Sequence, residues 1–322
     1  VTGLRREAGW LAGAVLAALC AATACQPANP TRTSTVPPSA RLGAVLVPDP
    51  AHRDLLFFGG KASSTVEGDT WLWTAGNWAR VATRPAPPAR SFAAAASDGR
   101  GGVLLFGGDP ADPTGTHDDT WRWNGSRWSE LHPRTVPGVG AYRVMAQGPS
   151  GAPVLVVFGL DRQVATWTWN AAARGGGDWA PVSAATAPPW RDASGLAMDT
   201  VSRRLILFGG VSAQGATAGD TWAWDGSAWS ELRPGHRPAG GPAALAAAGT
   251  GPLLYEQDGT WTWTGTDWAQ QQPGGQPPWQ AYSALAGIPG AGPGELLAIL
   301  VTGATGDASQ VWRWNGFGWA QA

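Results

Sequence analysis

Cysteine is nearly absent from this sequence. The 322 residues hold two, Cys20 and Cys25, both close to the amino terminus. That excludes a disulfide framework of the kind that staples small exported domains, so stability has to come from packing. Charge is also scarce. Asp, Glu, Lys and Arg make up 14% of the chain, where about 25% is usual. The net charge of -1 excludes the basic stripe of a nucleic-acid-binding face. Lysine occurs once, as Lys61. What is abundant is 46 Gly, 27 Pro and 21 Trp. Gly and Pro at that level fit either a disordered chain or many short strands joined by turns. The tryptophans decide for strands, because disordered chains are poor in aromatics.

The amino terminus reads as a processing signal. Arg5 and Arg6 precede an apolar run from Leu11 to Leu19, which is too short to span a bilayer comfortably. Small residues then lead to a cysteine, the layout of a secretory signal. Ala22-Thr23-Ala24-Cys25 resembles the lipobox of bacterial lipoproteins, with Ala22 where leucine is commoner. The resemblance implies lipidation at Cys25 and anchoring to the outer face of the bacterial cytoplasmic membrane. Cys20 would leave with the leader, and the mature chain would carry no free thiol. Residues 1–24 are thus expected to be a signal peptide. Residues 25–40, rich in Pro, Thr and Ser, are expected to be an extended tether, and residues 41–322 the folded domain.

That domain is repetitive. Asp69-Thr70-Trp71-Leu72-Trp73 with Trp78 recurs as Asp119-Thr120-Trp121-Arg122-Trp123 with Trp128, and as Asp220-Thr221-Trp222-Ala223-Trp224 with Trp229. Three looser copies carry Trp167, Trp169 and Trp179, then Trp261, Trp263 and Trp268, then Trp312, Trp314 and Trp319. A short apolar run precedes each triplet and usually ends in glycine, as in Leu55-Leu56-Phe57-Phe58-Gly59-Gly60. Continuous apolar runs suit strands buried on both faces. Trp-x-Trp puts two indoles on one face of a strand. Asn124-Gly125, Asp225-Gly226 and Asn315-Gly316 then supply the pair that a two-residue hairpin prefers. Each copy therefore predicts four strands, and the last Trp of successive copies returns at a period near 50 residues.

This pattern resembles the kelch family in its bacterial galactose-oxidase-like form. Arg53-Asp54-Leu55-Leu56-Phe57-Phe58-Gly59-Gly60, Pro87-Pro88-Ala89-Arg90 and Asp119-Thr120-Trp121-Arg122-Trp123-Asn124-Gly125 carry the likeness. The resemblance implies an all-β fold, a six-bladed β-propeller of four-stranded blades. A single such sheet cannot bury both faces, whereas a ring of them can. The propeller alone does not fix activity.

Catalytic motifs are missing. The family's radical copper oxidases need a Tyr-Cys crosslink, which a mature chain without a thiol cannot form. There is no His-Glu-x-x-His and no Gly-x-Ser-x-Gly, and the aspartate boxes of sialidases are absent. No cofactor is expected. Asp109, Asp112, His117 and Asp118 share one acidic loop that has the residue types for a metal, but its spacing matches no known site and it reads as solvated. In a propeller, the loops after the second and fourth strands share one face, and here they are the longer and more varied set. That face carries Arg90, Trp190, Arg191, Trp279 and Gln280, the candidates for ligand contact. Trp190 and Trp279 follow Pro-Pro and stand outside the triplets; they serve either blade packing or stacking on a sugar or partner side chain. Arg90 and Arg191 serve either the repeat itself or a carboxylate ligand. The expected function is a non-enzymatic binding scaffold for a protein or an envelope glycan. The alternative is an enzyme acting on glycans or peptides, with Asp109, Asp112, Asp118 and Asp161 as available acids for a glycan substrate.

Overall fold

The structure, a computed structural model, describes residues 37–111, 117–249, 251–279, 284–288, 295–300 and 310–322. Residues 1–36, which include the expected leader and Cys25, lie outside them, as do Asp112 and Gln280. The described residues form antiparallel sheets and contain no helix.

The fold is a β-propeller arrangement of sheets about a central channel. Five sheets are plain four-stranded meanders. The first runs Val45–Asp49, Asp54–Phe58, Thr70–Thr74, Asn77–Val81. The last runs Ala284–Gly287, Glu295–Leu300, Gln310–Asn315, Trp319–Gln321. The expectation of six four-stranded blades is corrected: five four-stranded sheets are present, and residues 90–131 form a five-stranded sheet instead. Its second strand, Val103–Pro110, continues past the diglycine, so Asp109 and Pro110 pair with Ser91 and Arg90. A register shift between His117 and Thr120 accommodates the extension.

The first strand of each sheet lines the channel. Val45–Asp49 touches Ala94–Ser97, which touches Gly140–Gln147; Gly195–Asp199, Ala244–Ala248 and Ala284–Gly287 follow, and the last returns to Val45–Asp49. All four strands of the last sheet come from the carboxyl-terminal segment, so no strand is exchanged across the closure.

The tryptophans hold the sheets together. The second and third Trp of each copy face each other across the outer hairpin, as Trp73 and Trp78 do with ring centroids 5.1 Å apart. They are buried against the neighbouring sheet. Trp121, Trp123 and Trp128 share one core with Val47, Leu56 and Phe58 of the first sheet. The first Trp of four copies donates its Nε1 proton to an aspartate: Trp71 to Asp69, Trp121 to Asp119, Trp222 to Asp220 and Trp261 to Asp258. The outer hairpin differs in detail from the expected Asn-Gly loop. Asn124 stands before its centre, with Oδ1 accepting from the N–H groups of Ser126 and Arg127. Asp225 does the same for Ser227 and Ala228.

Candidate functional site

The face carrying the varied loops is built on a repeated ion pair. Arg90 is fully buried. It donates to Asp119 at 2.5 and 2.8 Å, to the Gly107 carbonyl at 2.9 Å and to the Pro88 carbonyl at 3.0 Å. Arg191 repeats this with Asp220, Gly209 and Pro189, and Arg41 with Asp69 and Gly59. Burial alone would raise these three carboxyls. The hydrogen bonds and charge of their arginines outweigh it, and the pKa of each falls below the usual carboxylate value. Of the two roles expected for Arg90 and Arg191, these contacts fit the one within the repeat itself. Both guanidiniums are turned inward on an aspartate of their own repeat and are shielded from solvent.

Trp190 and Trp279 are both half-buried against cores. Trp190 packs on the third and fourth sheets, and its Nε1 donates to the Gly159 carbonyl at 2.8 Å. The Arg162 guanidinium lies 4.2 Å from its ring centroid, so a cation already occupies one face of the indole. Trp279 packs with Tyr255, Trp314 and Trp319. The two positions are equivalent in the repeat and are not brought together with each other in any cavity described below.

Among the described residues no three His, Cys, Asp or Glu side chains converge, and Asp112 of the acidic loop lies outside them. Asp109 lies 3.5 Å from Arg143. His117 has its Nε2 buried without a partner, and burial together with Arg90 pushes its pKa below the ordinary histidine value. Asp118 is exposed.

Two concave regions open on this side. The first is the channel mouth, about 120 Å³, lined by Gly43, Phe92, Ala93, Tyr142, Arg143 and Ala193 among others. Its rim is tied from sheet to sheet. Phe92 N–H donates to the Gly43 carbonyl, Ala243 N–H to that of Ala193, and Tyr142 OH to that of Ser194 at 3.1 Å. Phe92 and Ala193 adopt left-handed backbone, φ 54° and 50°, at the place where the first sheet has Gly43. Only glycine fits that place in the first sheet, because a Cβ there would sit 2.7 Å from the Phe92 ring. A bulky residue held at positive φ is strained, and strain of this kind collects at working surfaces.

The second region is a cleft beside the first sheet, about 450 Å³, lined by Gly68, Asp69, Thr70, Arg80, Val81, Ala82, Thr83 and Ala86. It falls in the size range of small-molecule sites, roughly 300–1,000 Å³. Arg80 is exposed, with its Nε 3.9 Å from the Asp69 carboxylate. The cleft thus offers a cation, the Thr83 hydroxyl and an apolar floor. Its single carboxylate is ionised and already held by Arg41, so it is no proton donor.

A carboxyl pair does exist elsewhere. Glu256 replaces a glycine of the fifth repeat and is 1% exposed. Burial first, then a hydrogen bond with Asp258, pushes its pKa up to about 9. One of its oxygens accepts from Gly240 N–H at 3.2 Å and the other has no partner. It lines neither cavity, so the raised acid is out of a substrate's reach.

Sequence reasoning missed Arg143, Arg80 and Glu256. The signals were present but faint: a charge inside a strand that elsewhere reads Ala or Val, and a glutamate in place of the diglycine.

Solved structures share this architecture. One is a lectin, SapL1, solved in complex with α-methyl fucoside. It has a TM-score of 0.58 and 16% identity, covering 89% of this chain and 96% of the lectin. Another is YjhT, with a TM-score of 0.59 and 13% identity over 89% of this chain and 98% of that one. The fold is one they share. At such identities the likeness is of fold alone. No protein-family model and no curated protein matches the sequence.

Proposed function

We propose that this chain is a non-catalytic carbohydrate-binding propeller of kelch-like repeats, closed as a ring of six blades. In this reading the leader is cleaved and Cys25 carries a lipid that holds the domain, on its tether, at the outer face of a bacterial cytoplasmic membrane. The ring reading is supported by the unbroken circuit of first strands, with the five-stranded sheet counted as the second blade. The anchor reading rests on Ala22-Thr23-Ala24-Cys25 alone.

The observation that carries the functional reading is the cleft beside the first sheet. Its size suits a sugar. Arg80 and Thr83 can meet hydroxyl groups, and Ala82 and Ala86 can meet a sugar's apolar face. Glycoside hydrolysis needs two reachable carboxyls, one of them kept protonated. The cleft has one, and its pKa is lowered. The shared fold with a fucoside-binding lectin supports the ligand class without specifying the sugar.

The test is calorimetric titration of the full chain with α-methyl fucoside and a panel of envelope glycans, repeated on Arg80→Ala. Binding of one sugar class, weakened about tenfold or more by the substitution, is the expected result. Indifference to every glycan overturns the carbohydrate reading. Release of a cleaved product overturns the non-catalytic one.

A further inference from the structure

The central channel is polar at one end and apolar at the other. Below the mouth, a midsection of about 170 Å³ is lined by Ala44, Ala93, Tyr142, Arg143, Ser194 and Ala243, among others. It shares Leu46, Met145, Leu196, Leu245 and Leu285 with a vestibule of about 280 Å³ at the opposite end, which Met198 also lines. These shared residues make one continuous passage. At a strand rise of ~3.3 Å per residue, Ala44 to Pro48 spans roughly 13 Å. Met145 and Met198 are the chain's 2 methionines, and both line the vestibule. Among the described residues, no charged side chain lines it. Unbranched, polarisable Met suits a surface that adapts to a flexible apolar guest.

The polar end is incompletely satisfied. Arg143 is 5% exposed, and its Nε has no partner. Its other nitrogens donate to the carbonyls of Phe92 at 3.0 Å and Gly140 at 2.5 Å. Its nearest carboxylate, Asp109, stands at 3.5 Å and is half exposed. Arg90 and Arg191, by contrast, each hold an aspartate through two hydrogen bonds. Ser194, 2% exposed and lining the same midsection, also has an unpartnered Oγ. A buried guanidinium with its Nε unpartnered, its one carboxylate half exposed at 3.5 Å, and an orphan hydroxyl lining the same passage form the unfinished half of an anion site.

We infer that the channel binds an unbranched alkyl carboxylate, with its head at Arg143 and Ser194 and its tail among Leu46, Met145, Leu196 and Met198. The head accepts the free guanidinium and hydroxyl hydrogen bonds. The tail replaces water in the vestibule. This site is separate from the cleft at Arg80 and does not depend on the carbohydrate reading.

The test titrates the full chain with acetate, butyrate, octanoate and 1-octanol. Affinity rises from butyrate to octanoate, acetate does not bind, and 1-octanol binds about tenfold or more weaker than octanoate. Arg143→Met removes the preference for octanoate over 1-octanol and leaves 1-octanol binding in place. Met198→Trp, which fills the vestibule from an exposed edge, weakens both. Arg80→Ala changes neither, which separates this site from the cleft. If Arg143→Met does not fold, Ser194→Ala gives the same readout with a smaller loss of octanoate. Equal affinity for octanoate and 1-octanol in the unsubstituted chain overturns the proposal. So does folded, unsubstituted protein that binds no octanoate, which would mean that the channel holds water only.

Discussion

Five junctions between neighbouring sheets carry one hydrogen bond that the closing junction lacks. Trp128 Nε1 donates to Thr70 Oγ1 of the preceding sheet at 3.0 Å, and Trp179 to Thr120 at 3.0 Å. Trp229 and Thr166, Trp268 and Thr221, and Trp319 and Thr260 repeat it at 2.9, 2.9 and 2.8 Å. All five threonines are buried. Where the last sheet meets the first, Val311 takes the threonine's place. It packs in the same core as Trp78, and Trp78 Nε1 has no partner. A buried N–H left unpaired costs about 1–3 kcal/mol. Apolar packing therefore suffices to close the ring, but the closing junction is the weaker one. Such a seam is where a ring that joins its two chain ends should open first.

The comparison assumes that the Trp–Thr bond, rather than the arginine buttress beside it, sets junction strength. Thr120 follows Asp119, so both devices meet in one strand. Arg90→Met tests the buttress. It leaves the Asp119 carboxylate without its bidentate partner and is expected to cost about 3–5 kcal/mol in urea unfolding. A loss below 1 kcal/mol would show the buttress to be idle. The third sheet, which has Ala165 where the first, second and fourth have the buttressing aspartate, should tolerate substitution there freely.

The junction next to the closing one carries a pH-dependent weakness. The folded Glu256 carboxyl has a pKa near 9, whereas an unfolded glutamate titrates near ~4.3. Between those values the folded state binds the extra proton, so stability falls as pH rises. Glu256→Gln removes that proton and flattens the decline. The expected outcome is a melting temperature that drops from pH 5 to pH 8 in the parent and much less in the variant, a difference of a few kcal/mol. Parallel pH curves would mean that Glu256 ionises freely in the fold.

The sequence made the frame legible. Trp-x-Trp and the later Trp placed the third and fourth strands, because each indole is large enough to dictate which face it buries. The apolar run before Gly59-Gly60 placed the second strand for the same reason. The site was less legible. Pro87-Pro88-Ala89-Arg90 looks like a surface arginine, and only the folded sheet brings Asp119 against it. Arg143 matters through Phe92 and Asp109 of the adjoining sheet, and no local pattern encodes that neighbour. The pairing of Arg90–Ser91 with the residues past the diglycine recurs as Arg191–Asp192 with Val211–Ser212, and no local pattern announces it.

Two smaller substitutions exchange the junction types directly. Thr120→Val converts an interior junction to the closing kind. It should cost about 1–3 kcal/mol, because Trp179 Nε1 is then orphaned without loss of side-chain volume. Val311→Thr is the reverse. It offers Trp78 the hydroxyl that every other junction has, in a place where the apolar contacts of Val311 are otherwise kept. The expected gain is about 1 kcal/mol, with slower hydrogen exchange of the Trp78 indole relative to Trp128. A destabilised Val311→Thr variant would show that the threonine hydroxyl cannot reach Trp78 across this seam. The valine would then be a fitted part of the closure, and the hydrogen bond would not be what distinguishes this junction from the rest.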